Sequence, residues 1–324
     1  MKHDLNDLAR WVGQLASGGQ ESWKVLTTKG LTRVESASKR QQVVQRLARV
    51  EMGRYFSGMK SREPGSQESV DTTVAYEGYC MTLESSLASI TTLVLLTQGR
   101  WFEKEIEFCR QLLQPGMVVI DVGANVGVYT FLAARCVGTT GRVYAIEPTP
   151  NCMACLKSTV VDNRLDRCVV PIEAAVGSQL GQVFLVFSGA SVFNRIVPDR
   201  AAAGGRRVKA VAQLTLDHLW ESEHKPQVDL LKIDVEGAEL EVLQGAQQLL
   251  RSQEPIVMFE NRQGAKISGT EPTKFLATLG YQFYNYERDP ARLKQVDPIA
   301  RRLNSLNLIA VPVTRRKSLP FNLC

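Results

Sequence analysis

Val118-Val119-Ile120-Asp121-Val122-Gly123-Ala124-Asn125-Val126-Gly127-Val128-Tyr129-Thr130 is the stretch whose reading decides the fold. The turn Pro115-Gly116 leads into three consecutive β-branched residues, the pattern of a buried strand. Residues 126–137 then read as a helix. Gly123 lets the chain turn sharply between the two, and Gly127 permits close approach of helix and strand.

The same alternation continues downstream. Residues 142–146 read as a second strand and 151–163 as a second helix. Residues 169–175 form a third strand and 183–187 a further short one. Residues 228–233 are the fourth parallel strand, 238–250 a helix and 256–259 the fifth strand. Strands alternating with helices of this length specify parallel βαβ units with helices on both faces of the sheet. Residues 281–286 and 306–313 suit an antiparallel pair at the end. The expected fold is α/β and Rossmann-like, a mainly parallel seven-stranded sheet closed by an antiparallel C-terminal strand pair, plus a helical N-terminal appendage.

Upstream, residues 43–52 carry a helical pattern, and 57–69, with Gly58, Pro64 and Gly65, look like a linker. Residues 72–83 suggest a short strand pair, and 101–113 have a helical period. The expected organisation is therefore 1–70 as a helical segment and linker, and 71–324 as the main domain, with its core starting near residue 100.

The turn also predicts a ligand. The dinucleotide pattern G-x-G-x-x-G is absent, and what stands there is an acid followed by G-x-x-x-G. That suits a ligand without a pyrophosphate, such as S-adenosylmethionine, whose carboxylate could meet the N–H groups at the helix start. Glu147 ends the second strand, where an acid accepts hydrogen bonds from both ribose hydroxyls. Asn163 closes the next helix and Ala174-Ala175 the third strand, places expected to flank the adenine. Asp121, Gly123, Ala124, Asn125, Gly127, Tyr129, Glu147, Asn163, Ala174, Ala175 and Asp234 are thus the expected cofactor residues.

These residues resemble the FkbM family of methyltransferases. The resemblance runs through Gly99-Arg100-Trp101-Phe102-Glu103, Ile120 to Thr130, Ala145-Ile146-Glu147-Pro148, Ala175-Val176-Gly177, Leu231-Lys232-Ile233-Asp234-Val235-Glu236-Gly237-Ala238-Glu239 and Asn307-Leu308-Ile309-Ala310-Val311-Pro312. It spans about 99–312 and leaves out the N-terminal third. It implies the class I methyltransferase fold and O-methylation of a sugar, glycolipid or natural-product hydroxyl, without naming the acceptor.

A sugar hydroxyl is a weak acid, so its methylation needs a base, or a metal that lowers its pKa. Asp234 follows the fourth strand at its carboxyl end, where open α/β sheets bind ligands. Glu236 lies within one turn of it, and Glu260 and Asn261 follow the fifth strand. Asp234, Glu236 and Glu260 are the expected catalytic carboxylates. Asp234, Glu260 and Asn261 also match the way catechol-type O-methyltransferases hold magnesium. Three readings of Asp234 stay open: metal ligand, metal-free base or substrate hydrogen-bond acceptor, or, with Glu236, cap of the following helix. Glu103 and Trp101 are candidates for the pocket wall. The segment 188–209, with Arg200, Arg206 and Arg207, reads as a mobile loop able to grip an anion.

Composition sets bounds on function. The chain has 324 residues, 44% hydrophobic and 22% charged, with a formal net charge of +6. That excess is modest, and no RNA-binding or base-methylating motif accompanies it, which argues against a nucleic-acid methyltransferase. A non-catalytic cofactor-binding scaffold is the other competing class. The most apolar run, 87–97, is about half the roughly 20 residues of a membrane span, and the first residues lack an apolar signal core, so a cytoplasmic protein is expected. Its partner is a small-molecule or glycan acceptor, and a homodimer is compatible with the sequence. Seven cysteines, an odd number widely spread, read as reduced thiols, Cys152 and Cys155 sharing one helical face. His218, in a short amphipathic turn, reads as a surface residue.

Overall fold

The computed structural model of the chain describes residues 23–27, 30–34, 72–84, 89–187, 194–260, 270–288, 290–297 and 307–323. The chain divides into two compact units: Met1–Tyr76 with Thr82–Phe102, and Glu77–Met81 with Glu103–Cys324.

In the first unit, β1 (Trp23–Thr27) and β2 (Gly30–Val34) pair antiparallel. A strand pair therefore stands inside the segment expected to be helical. The helical pattern at 43–52 and the linker at 57–69 lie outside the described residues. β3 (Thr72–Tyr76) leads through a turn to β4 (Tyr79–Leu83), which the division between the units crosses. The apolar run at 87–97 contributes α1 (Ile90–Gln98). Ser89 Oγ accepts from the Thr92 N–H at its start, and Gly99, in the left-handed region at φ 66°, ends it. No helix among the described residues is long and apolar enough to cross a membrane.

The second unit runs α2 (Glu105–Leu112), β5 (Val118–Val122), α3 (Val128–Val137), β6 (Arg142–Ile146), α4 (Pro150–Asp162), β7 (Val169–Ile172), β8 (Ala175–Val176), β9 (Gly181–Val186), β10 (Arg195–Val197), β11 (Val208–Leu214), α5 (Leu216–Ser222), β12 (Leu230–Ile233), α6 (Glu239–Gln244), α7 (Gln247–Gln253), β13 (Ile256–Glu260), α8 (Thr270–Thr278), β14 (Tyr281–Arg288), β15 (Ala291–Gln295), β16 (Asn307–Pro312) and β17 (Asn322–Leu323). The main sheet has the order β17-β15-β14-β16-β13-β12-β5-β6-β7. The five strands from β7 to β13 are parallel, and β16 lies antiparallel between β13 and β14. Among the described residues the sheet has nine strands where seven were expected, because β15 and β17 extend it beyond β14. Both faces of its core strands are buried, as a sheet covered by helices requires: Ile120, Val122, Ile146, Leu231, Ile233, Val257 and Phe259 on one face, and Val119, Val143, Ala145, Leu230, Ile256 and Met258 on the other.

Three local expectations are corrected. The strand expected over 169–175 splits: β7 stays in the main sheet, and β8 pairs parallel with β11 in a second sheet of order β10-β9-β11-β8. The described part of the segment 188–209 is paired strand only at its two ends, in β10 and the start of β11, and the turns and irregular residues between them carry Arg200, Arg206 and Arg207. The helix expected over 238–250 breaks into α6 and α7. Gly245 causes the break: a Cβ there would stand 2.1 Å from the Gly177 carbonyl oxygen, and its own carbonyl accepts from the Asp217 N–H at 2.8 Å. The Asp217 carboxylate then accepts from the Gln248 and Leu249 N–H groups at 3.0 and 2.9 Å, so a residue remote in sequence satisfies the first turn of α7.

Asn163 follows α4, at the end of the sheet remote from the carboxyl termini of the parallel strands. Its amide donates to the carbonyls of Cys80 and Thr159 at 2.8 and 2.7 Å and accepts from the Cys80 N–H at 2.9 Å. It pins the edge of β4 and is not brought to the expected cofactor site. Asn163→Ala should lower stability by about 1–2 kcal/mol and leave cofactor affinity unchanged, which denaturant titration and calorimetry would measure. No disulfide joins the described cysteines.

Candidate active site

The strand order reverses between β5 and β12, and the crevice lies at their carboxyl ends. Gly123 leaves β5 at φ 77° and Asp234 leaves β12 beside it. A Cβ on Gly123 would stand 1.8 Å from the Asp234 carbonyl oxygen, so the two loops touch through bare backbone. Gly127, at φ 100°, would drive a Cβ to 2.4 Å from the Phe131 ring.

The amides of the turn are spent inside the protein. Gly123 and Ala124 N–H donate to the Ile146 carbonyl, Gly127 N–H to the Ala124 carbonyl, and Val126 N–H to Asn125 Oδ1. The Asn125 N–H donates to Glu147 Oε2 at 2.9 Å, and the Thr149 N–H to Glu147 Oε1 at 2.7 Å. A phosphate would therefore find no cradle between Gly123 and Gly127. Glu147 is only 6% exposed. Burial raises its carboxyl above the ordinary range against the pull of its bonds to Thr149 and Asn125. Bonds from Thr149 and Asn125 anchor both carboxylate oxygens, and the acceptor capacity left over suits a ribose hydroxyl.

Asp121 and Lys232 are partners in register on β5 and β12. Both are buried, and Lys232 Nζ lies 3.3 Å from Asp121 Oδ1 and 3.4 Å from Asp234 Oδ2. Thr130 Oγ1 donates to Asp121 Oδ2 at 2.7 Å. Burial alone would lower the lysine's pKa, but the charges of Asp121, Asp234 and Glu103 reverse this and hold the ammonium above its ordinary value. The ammonium also sits 4.9 Å from the centre of the Tyr129 ring. Asp121 thus faces the protein's own cation, and Asp234 is the partner that reaches the crevice.

Asp234, Glu236 and Glu260 converge, with one carboxylate oxygen of each within 4.8 Å of the others. Glu236 adopts φ 57° and Gly237 φ 108°, a left-handed pair that carries the chain out of β12. The start of α6 has no side-chain cap, and the nearby Gly237 N–H donates to Glu239. Asn261 lies outside the described residues. Ala124, Ala174 and Ala175 are buried. His218 is exposed.

One contributor was not foreseen, and Glu103, a candidate for the pocket wall, joins it. Lys232 is the cation of the crevice, and its signal was a lysine inside an otherwise apolar strand, Leu-Leu-Lys-Ile. Glu103 Oε2 accepts from Tyr129 Oη at 2.5 Å and from Asn307 Nδ2 at 3.2 Å. Asn307 is the register partner of Glu260, so Glu103 joins the same carboxyl-end region. Burial and the neighbouring Glu105 push the Glu103 carboxyl up to about 7.

Residues 121–287, more than half of the chain, match the family described as the methyltransferase FkbM domain. The chain is 31% identical over 140 residues to the hexuronic acid methyltransferase AglP of Haloferax volcanii, a match covering 42% of this chain and 52% of that protein. It is 31% identical over 166 residues to the 31-O-demethyl-FK506 methyltransferase FkbM of Streptomyces tacrolimicus, covering 42% of this chain and 61% of that one. The chain thus spans about half to three-fifths of the length of these curated relatives. Among solved structures, methyltransferase FkbM from Methylobacillus flagellatus KT aligns with a TM-score of 0.42 at 14% identity, over 64% of this chain and 50% of that one.

Proposed function

Since the chain belongs to the FkbM methyltransferase family, we propose that it transfers the methyl group of S-adenosylmethionine to a hydroxyl of a sugar, glycolipid or natural-product acceptor. The observation that carries this reading is Glu147, a buried carboxylate at the end of β6 beside a turn whose amides are already engaged. That mouth fits a ribose and refuses a pyrophosphate. When bound, the sulfonium supplies an electrophilic methyl carbon for in-line displacement, so positioning contributes much of the rate. Lys232 fixes the Asp234 carboxylate at the crevice, where it can orient the acceptor hydroxyl by hydrogen bonding.

Calorimetry tests the reading. S-adenosylmethionine and S-adenosylhomocysteine should bind the full chain and NAD should not. Glu147→Ala should weaken S-adenosylhomocysteine by about 1.5–3 kcal/mol, the range of charge-assisted hydrogen bonds. An unchanged Kd would remove Glu147 from the site.

The acceptor class draws on the relatives. AglP is named for a hexuronic acid, and this chain carries Arg195, Arg200, Arg206 and Arg207 around β10 and β11, suited to an acceptor carboxylate. Methyl glucuronoside is accordingly the first acceptor to try. A magnesium-assisted version rests on the convergence of Asp234, Glu236 and Glu260, hard oxygen donors of the kind that ion takes. In that version EDTA abolishes turnover and magnesium restores it; turnover indifferent to EDTA leaves the metal-free version.

A further inference from the structure

Glu103 is held in an unusual way. Its Oε2 takes both anchoring bonds, from Tyr129 on α3 and Asn307 on β16, while Oε1 accepts no hydrogen bond among the described residues. One oxygen fixes the carboxylate and the other is left open. The anchors come from α3 and β16. Tyr129 sits in the first turn of the helix that follows the glycine turn, and Asn307 is in register with Glu260 of the acidic convergence. The charged groups around Glu103 are Glu105 on α2, Lys232 on β12 and Asp234 just beyond it, with Tyr129 as hydrogen-bond donor. Asp234, the other acid nearby, is already engaged by an ammonium at 3.4 Å. Glu103 is not.

We propose that Glu103 is the proton acceptor of the site, taking the acceptor hydroxyl's proton on Oε1 while Tyr129 and Asn307 hold Oε2. This rests on the methyl-transfer reading. The hydroxyl oxygen bonds to the methyl carbon as the carbon–sulfur bond breaks. The electron pair of that bond stays on sulfur, the hydroxyl proton passes to Glu103, and the carboxyl later releases it to water. A base is most effective when its pKa lies near the working pH. Burial supplies that match here, because a carboxyl pushed up to about 7 is far more basic than an exposed glutamate.

The test uses the full chain loaded with S-adenosylhomocysteine, its glutamates labelled with carbon-13 at the side-chain carboxyl. One carboxyl should titrate near neutral pH and be missing from Glu103→Gln, a variant whose amide oxygen can still accept from Tyr129. Tyr129→Phe should move that midpoint upward, because the lost donor had favoured the charged form. With S-adenosylmethionine and methyl glucuronoside, the wild-type rate should fall about tenfold per pH unit below the midpoint. Glu103→Gln should lose this limb and at least about 10²-fold of the rate above it, whereas Asp234→Asn should keep the limb. A Glu103 carboxyl that titrates in the ordinary carboxylate range overturns the proposal, as does a Glu103→Gln variant with the wild-type rate and limb. If the wild-type chain binds neither sulfur ligand, the methyl-transfer reading itself falls. If it binds them but leaves methyl glucuronoside unmethylated, only the hexuronate acceptor is lost, and the titration decides Glu103.

Discussion

Lys232→Met is expected to destabilise the chain by about 3–5 kcal/mol, the cost of leaving a buried carboxylate without its cation. The Asp121 side chain is 1% exposed and that of Lys232 5%. Methionine fills the volume of the lysine stem and removes only the ammonium. Asp121 then keeps its bond from Thr130 and loses its counter-charge. Two buried charges need not stabilise a fold compared with two apolar residues, so the informative comparison is the double variant. Asp121→Asn in the Lys232→Met background removes the orphaned charge and keeps an acceptor for Thr130, and it should recover most of the loss. Urea titration of the four chains measures the cycle. A single variant that loses less than about 1 kcal/mol would mean that water reaches the pair.

Asp234→Asn should cut turnover by about 10²-fold or more, with any acceptor the wild-type chain methylates, and barely change S-adenosylhomocysteine affinity. The separation follows from geometry. The cofactor's ribose is assigned to Glu147, at the end of β6, whereas Asp234 stands at the end of β12 with Glu236 and Glu260. Asparagine keeps the shape and a hydrogen-bonding oxygen but gives up the charge that Lys232 holds in place. Near-wild-type turnover in the variant would reduce Asp234 to a spacer between two loops. Loss of cofactor affinity in step with turnover would place it among the cofactor contacts instead.

Much of this site could be read before any coordinates. The run from Val118 to Thr130 declares strand, turn and helix through hydrophobicity and two glycines, and Glu147 follows because the next strand must end beside that turn. Asp234, Glu236 and Glu260 could be grouped because both of their strands end at the same edge of a parallel sheet. What escaped depended on contacts between distant segments. The α6–α7 break is dictated by Gly177 and Asp217, which no local period of 238–250 reveals. Asn163 closes its helix as expected, but helix ends and strand ends of a βαβ unit lie on opposite sides of the sheet, so an adenine contact did not follow. The second sheet was hidden because β8 has two residues and β10 three, too few to show alternation. Asp121 was assigned to a ligand because its cation, Lys232, is 111 positions away.

The placement of β16 bears on how the chain is made. Synthesis delivers β13, then β14 and β15, and only afterwards β16, which must enter between β13 and β14 and pair with both. Until residues 307–312 leave the ribosome, two strand edges stand open, flanked by apolar side chains such as Phe259 and Phe283. Open edges of that kind invite pairing with other chains. A nascent chain stalled before Asn307 is thus an aggregation-prone intermediate, and the last core strand acts as the clasp that ends its exposure.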